Sequence, residues 1–129
     1  MRGLEALRAV RDRVAVRVAM DETAAEHGSL SAGVADAVCL KVSRCGGISG
    51  LLAQAALVRS SGADVYVAST YDGPVGIAAG LHAAAALRAR GKLLPCGLSA
   101  GAGEPPAVAG GRLAVPPGPG LLGAAMLDR

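Results

Sequence analysis

Two acids and one lysine carry the chemistry this sequence could do. Asp21 and Glu22 close a Val-rich run from Val14 to Met20, and Lys41 stands near the end of a second apolar run, Ala37 to Val42. A third run, Asp64 to Ser69, leads into Thr70, with Asp72 just beyond; a fourth, Lys92 to Leu98, ends near Cys96-Gly97-Leu98-Ser99. In parallel α/β folds, reactive residues collect at the carboxyl ends of strands. On neighbouring strands of a barrel, all four clusters would face one mouth. The chemistry this suggests is metal-assisted proton abstraction next to a carboxylate. A hard divalent cation takes carboxylate oxygens and neutralises the enediolate left when the proton departs. A lysine at the mouth removes or returns that proton if its neighbours lower its pKa. One carboxylate cannot hold Mg²⁺ alone, however, and spacing by itself also allows Asp21 to be an ordinary strand-end acid or a helix cap.

The elements that must position these residues follow from hydrophobic periodicity. Leu4 to Val14 reads as a helix, with Leu4, Leu7 and Val10 at helical spacing. Val14 to Met20 is the first expected strand. Thr23 to Val34 is a short helix or irregular connection, because Gly28 and Gly33 weaken a helix there. After the strand Ala37 to Val42, the turn Ser43-Arg44-Cys45-Gly46-Gly47 opens a helix from Ile48 to Ser60, stopped by Gly62. Gly46-Gly47 is read as backbone geometry rather than a phosphate cradle, since no fuller glycine fingerprint surrounds it. The strand Asp64 to Ser69 is followed by a second helix, Val75 to Ala89, closed by Gly91, and then by the strand Lys92 to Leu98. Asp72 could start that helix, with Pro74 in its first turn, or serve a pocket. The strands are continuous apolar runs, as in a parallel sheet buried on both faces. Residues 1–99 form this α/β region; 100–129 form a Gly/Pro-rich tail with one short strand, Arg112 to Val115.

Composition narrows the field. The chain has 129 residues, enough for one domain with its own core. With no Phe or Trp, that core must be built from Ala, Val, Leu and Ile, each burying little area. The net charge of +3 is spread among the N-terminal arginines and their acids rather than clustered, which argues against a nucleic-acid surface. Cys39, Cys45 and Cys96 are odd in number and form no Cys-x-x-Cys, so neither a disulfide framework nor a structural zinc site is expected, and a reducing cytoplasm fits. His82 lies within an Ala-rich helix as a packed or partly exposed residue. The apolar run Val75 to Leu87 is too short to span a bilayer, and no membrane partner is expected.

The stretches VAMDET, DAVCLKVSRCGGISG, VYVASTYDGPVGIAAGLHAAAAL and GGRLAVPPGPGLLG resemble the C-terminal part of the mandelate racemase and muconate lactonising enzyme branch of the enolase superfamily. The resemblance runs over nearly the whole chain; LPCGLS adds a likeness to o-succinylbenzoate synthases. It implies an α/β fold of a particular kind: strands five to eight of a TIM-type (β/α) barrel plus a closing tail. It implies that Asp21 is one of three carboxylate metal ligands, with Glu22 near the metal shell, and that Lys41 is the acid/base lysine of the sixth strand. In synthase-type members this lysine is expected to stabilise the enediolate by charge. Ser69, Thr70 and Asp72 fall where such enzymes line the substrate pocket. The implied cofactor is Mg²⁺ or Mn²⁺, and the implied partner is a small carboxylate substrate.

Two departures qualify this. The 20 residues from Asp21 to Lys41 are fewer than the family pattern calls for, which implies a trimmed intervening helix. No residues match the first two metal ligands, the Lys-x-Lys motif of the second strand or the capping domain. The metal is therefore expected only with those parts present, and the chain alone is expected to show little or no activity. The rival expectation is an inactive half-barrel that self-associates or complements another fragment, since open strand edges and a wide apolar face invite association. A third possibility is an unrelated α/β domain, in which Asp21 and Lys41 would lie far apart.

Overall fold

A computed structural model describes residues 3–99 and 108–122. Helix α1 (Gly3–Arg11) is followed by strand β1 (Ala19–Met20), strand β2 (Ala37–Leu40), helix α2 (Ile48–Ser60), strand β3 (Asp64–Val67) and helix α3 (Gly73–Ala89). The three strands are parallel in the order β1-β2-β3, with Ala19 opposite Ala37 and Val38 opposite Val65. The right-handed crossover of a parallel pair needs a dozen or more residues; α2 supplies it between β2 and β3. Between β1 and β2 there is no α-helix. Two 3-10 turns, Glu22–Ala25 and Ser29–Ser31, span the gap, with Gly28 at φ +75° between them. The shortened connection expected from the Asp21–Lys41 interval takes this form.

The core lies under the helices. Met20, Val38, Leu40, Val65 and Val67 point to one side of the sheet, where Leu51, Ala55 and Val58 of α2 and Ile77, Leu81 and Leu87 of α3 cover them. Every one of these side chains is at most 6% exposed. The expectation of strands buried on both faces holds for β2 but not for β3, where Asp64 and Tyr66 on the other side are only half-buried. Leu4 and Leu7 of α1 lean on the edge of this core. His82 hydrogen-bonds the Leu121 carbonyl at 2.9 Å and so ties α3 to the tail.

All five expected strands are shorter than the sequence suggests or absent; Ala37 to Val42 and Asp64 to Ser69 each lose their last two residues, and the other three lose more. Only Ala19 and Met20 of the first run pair as a strand; Val14 and Val16 are exposed, and Arg17 reaches sideways to the Asp36 carbonyl and Asp64. The N–H of Val18 is taken by the Asp36 carboxylate instead of a ladder partner. In the fourth run, 92–98, Leu94 donates to Val65 and Gly97 to Val67. Three steps on one side thus face two on β3, a bulge centred on Pro95, which has no N–H to give. Only the bridge between Ala68 and Gly97 remains of the expected strand. The tail strand from Arg112 to Val115 does not form. Ala109 and Arg112 exchange hydrogen bonds across a tight turn, with Gly110 at φ +56° and Gly111 at φ +72°, angles that favour glycine. Residues 100–107 and 123–129 of the expected tail lie outside the described residues. Among the described residues, no helix is long and apolar enough to cross a membrane.

An ion network ties the amino ends of the strands together. Arg11 meets Asp36 at 2.8 Å and also donates to the Gly33 carbonyl. Arg17 and Lys92 both hold Asp64 at 2.6 Å. The Asp36 carboxyl is held below its ordinary range, chiefly by the Val18 N–H and then by Arg11. Asp64 is held low by Lys92 and then by Arg17.

Candidate functional site

The register that aligns Met20 with Val38 brings the end of β1 beside β2. Asp21 follows β1 directly and Lys41 follows β2, so both sit at the carboxyl edge of the sheet. Lys41 Nζ lies 2.7 Å from Asp21 Oδ1. The lysine side chain is 15% exposed and the aspartate 43%. The Lys41 carbonyl accepts hydrogen bonds from the N–H groups of Arg44 and Cys45, and Val42 accepts from Gly47. This turn anchors the lysine backbone and leads into α2 through Gly46 and Gly47, both at positive φ. The hydrogen bond to Asp21 raises the Lys41 pKa; burial opposes that rise, and the negative charges of Asp21 and Glu22 add to it. Lys41 is therefore an ammonium at neutral pH.

A recess of about 50 Å³ opens at this pair. Asp21, Glu22, Cys39, Lys41, Arg44, Cys45 and Gln54 are among its walls. Glu22 shares the recess. Behind it, burial pushes the Cys39 thiol up to about 11, and the Asp21 charge adds to this. Burial likewise pushes the Tyr66 hydroxyl, on the neighbouring strand, up to about 12. Both groups are neutral near pH 7.

Ser69, Thr70 and Asp72 lie beyond β3 and do not line the recess. Ser69 donates to the Gly97 carbonyl at 3.3 Å, which holds the bulged run in place. The Asp72 carboxylate does not cap α3; it turns back to accept from the Thr70 N–H at 2.8 Å and from the Thr70 hydroxyl. Burial raises the Asp72 pKa, but the hydrogen bonds from Thr70 and Ser43 and the positive charge of Lys41 outweigh it, so the net direction is down. Ser43 Oγ lies 3.2 Å from Thr70 Oγ1, linking the turn after β2 to the loop after β3. The two clusters are thus adjacent but distinct, and the hydroxyls of the second are engaged in shaping their own loop.

Four residues at the site escaped the motif reading. Arg44 and Cys45 were visible only as turn residues, and Gln54 as a helix residue; Cys45 Sγ donates to Gln54 Oε1 at 3.3 Å and fixes that wall. Cys39 could have been found by counting back two from Lys41, since alternate residues of a strand share a face.

The resemblance seen in the sequence implies a divalent metal, and the donor set decides whether these residues fit one. Mg²⁺ and Mn²⁺ need several oxygen ligands. Among the described residues, no three His, Cys, Asp or Glu side chains are arranged to hold a metal ion. The Asp21 oxygen at the recess is already held by an ammonium. The described residues of this chain do not fit a divalent cation by themselves.

An acid and a lysine are thus paired at the carboxyl edge of a parallel α/β sheet. The chain matches the enolase C-terminal domain-like family over residues 1–126 and belongs to it. Among solved structures, the L-Ala-D/L-Glu epimerase from Bacillus subtilis is similar over 75% of this chain and 27% of its own, with 27% identity and a TM-score of 0.64. The N-succinyl Arg/Lys racemase from Bacillus cereus ATCC 14579 is similar over 63% of this chain and 23% of its own, with 25% identity and a TM-score of 0.59. The chain spans about a quarter of the length of these structures. No curated protein matches it. The third possibility raised from sequence, an unrelated domain with Asp21 and Lys41 far apart, is overturned by the family match and by their 2.7 Å separation.

Proposed function

We propose that this chain carries the acid/base lysine of an enolase-type site that moves a proton at the carbon beside a carboxylate. The observation that supports this is the pairing of Lys41 with Asp21 at the ends of neighbouring parallel strands. Lys41, as an ammonium, is placed to return a proton to an enediolate or to hold its charge. Removing a proton would first require the lysine to lose its own, which the Asp21 charge opposes. Asp21 fixes the direction of the ammonium, and Glu22 adds negative charge at the recess. Ser69, Thr70 and Asp72 border the substrate on the β3 side.

Epimerisation or racemisation of an acylated amino acid or dipeptide is favoured over o-succinylbenzoate-type dehydration. Both solved relatives catalyse reactions of the first kind by name, whereas the second rests on Leu94–Ser99 alone. Catalysis belongs to the longer barrel that the relatives possess. The test is a chimera in which residues 19–99 replace the matching segment of the Bacillus subtilis epimerase, followed by deuterium wash-in at the substrate α-carbon. Exchange is expected, with a loss of about 100-fold or more in the Lys41→Ala chimera. A folded chimera without exchange would count against the proposal, and turnover by the isolated chain would overturn its dependence on the rest of the barrel.

A second reading, a half-barrel that pairs with another copy of itself, is favoured by the sheet face opposite the helices, where Tyr66 and Ala68 are only half-buried. Light scattering decides it: a stable monomer at high concentration counts against this reading.

A further inference from the structure

The Asp21 carboxylate already has a cation. Lys41 Nζ sits 2.7 Å from Oδ1, and the lysine is the more buried partner of the two. Cys39, Leu40, and Ala24 and Ala25 of the first 3-10 turn share the recess walls with it. Its backbone is pinned by the two hydrogen bonds that its carbonyl accepts from Arg44 and Cys45. The ammonium is therefore delivered to Asp21 by ordered structure and not by a floating surface chain. Glu22, beside it in the recess, is exposed, and its negative charge adds to the rise of the Lys41 pKa.

We infer that Lys41 is the resident counter-ion of Asp21 in this chain, and that a divalent ion can bind there only by displacing it. The inference goes beyond the catalytic proposal and does not depend on it, because it concerns which cation occupies the carboxylate whatever reaction follows. It adds to the shortage of convergent donors: the chain also supplies a fixed positive charge beside the carboxylate, and two like charges cannot share one monodentate oxygen without strong repulsion.

The test uses Mn²⁺ alone as the probe, followed by loss of the free-ion electron paramagnetic resonance signal on titration into the purified chain. Removing the ammonium in Lys41→Gln is expected to tighten Mn²⁺ binding by about 10-fold or more, because the repulsion is gone and Asp21 is freed. Lys41→Arg keeps the charge and is expected to bind as weakly as wild type. Asp21→Asn added to Lys41→Gln is expected to abolish the gain. Lys41→Met preserves the packing of the stem and replaces the glutamine variant if that one does not fold, as judged by circular dichroism. No gain in the uncharged variants overturns the inference, whether because wild type already binds Mn²⁺ as tightly or because none of the proteins binds it. A gain that survives Asp21→Asn also overturns it, since the site would then be elsewhere. None of these readouts depends on turnover, so failure here leaves the catalytic proposal standing.

Discussion

Lys41 and Asp21 lie 20 positions apart in sequence and 2.7 Å apart in space, at the ends of adjacent parallel strands. Half-exposed pairs of this kind contribute modestly to stability. A double-mutant cycle with Asp21→Asn and Lys41→Met, followed by urea unfolding, is expected to give a coupling of about 0.5–1 kcal/mol. A coupling near zero would mean that the pair does not persist in solution.

Acid should loosen the amino ends of the strands. Asp36 and Asp64 both have carboxyl pKa values lowered by folding. The unfolded chain therefore takes up protons first as pH falls. The stability these groups add is complete above about pH 3.9, the ordinary aspartate value, and is lost as pH drops below it through the folded values. The melting temperature of wild type is expected to fall between pH 5 and pH 3, and that of the Asp36→Asn, Asp64→Asn double variant to start lower and fall less.

Two helical glycines should respond differently to alanine. A Cβ on Gly50 would stand 1.9 Å from the Cys45 carbonyl oxygen, a backbone atom pinned by the turn that follows Lys41. Gly50→Ala is expected to destabilise by about 1–3 kcal/mol or more. A Cβ on Gly80 would meet Leu98 Cδ2 at 2.8 Å, the movable end of a side chain. There the better helix propensity of alanine, about 1 kcal/mol, offsets the shift of Leu98, and stability should stay within about 1 kcal/mol of wild type. Paired denaturation curves check both.

Leu51 is fully buried between α2, β2 and β3. In a core without Phe or Trp, no large neighbour can collapse into the space it leaves. Leu51→Ala is expected to cost about 2–5 kcal/mol, read as a lower urea midpoint with an unchanged slope.

The helices were legible because their signals are local. Ile48 to Ser60 carries its apolar spacing and its Gly62 stop within itself, and the structure has the same bounds. The carboxyl-edge placement of Asp21 and Lys41 was legible for a similar reason: each ends an apolar run. What the sequence hid depends on partners far along the chain. Val14 to Val18 looks like a strand by composition, but Asp36, about eighteen residues on, takes the Val18 N–H and turns the segment aside. Asp72 could be read as the start of a helix, with Pro74 in its first turn, or as a pocket residue, and its carboxylate accepts instead from the nearer Thr70 N–H and hydroxyl. Arg44 read only as a turn residue and Gln54 only as part of a helix, yet both line the recess.

The bulge around Pro95 has a consequence for how the protein behaves in a crowded solution. A sheet grows into fibrils when its last strand offers an even row of free N–H and C=O groups as a template. Here the run beside β3 is broken in register between Leu94 and Gly97 and lacks a donor at Pro95, while β1 at the other side is two residues long. Neither margin presents a repeating template, so the same irregularity that cost the fold a fourth strand guards it against edge-to-edge polymerisation.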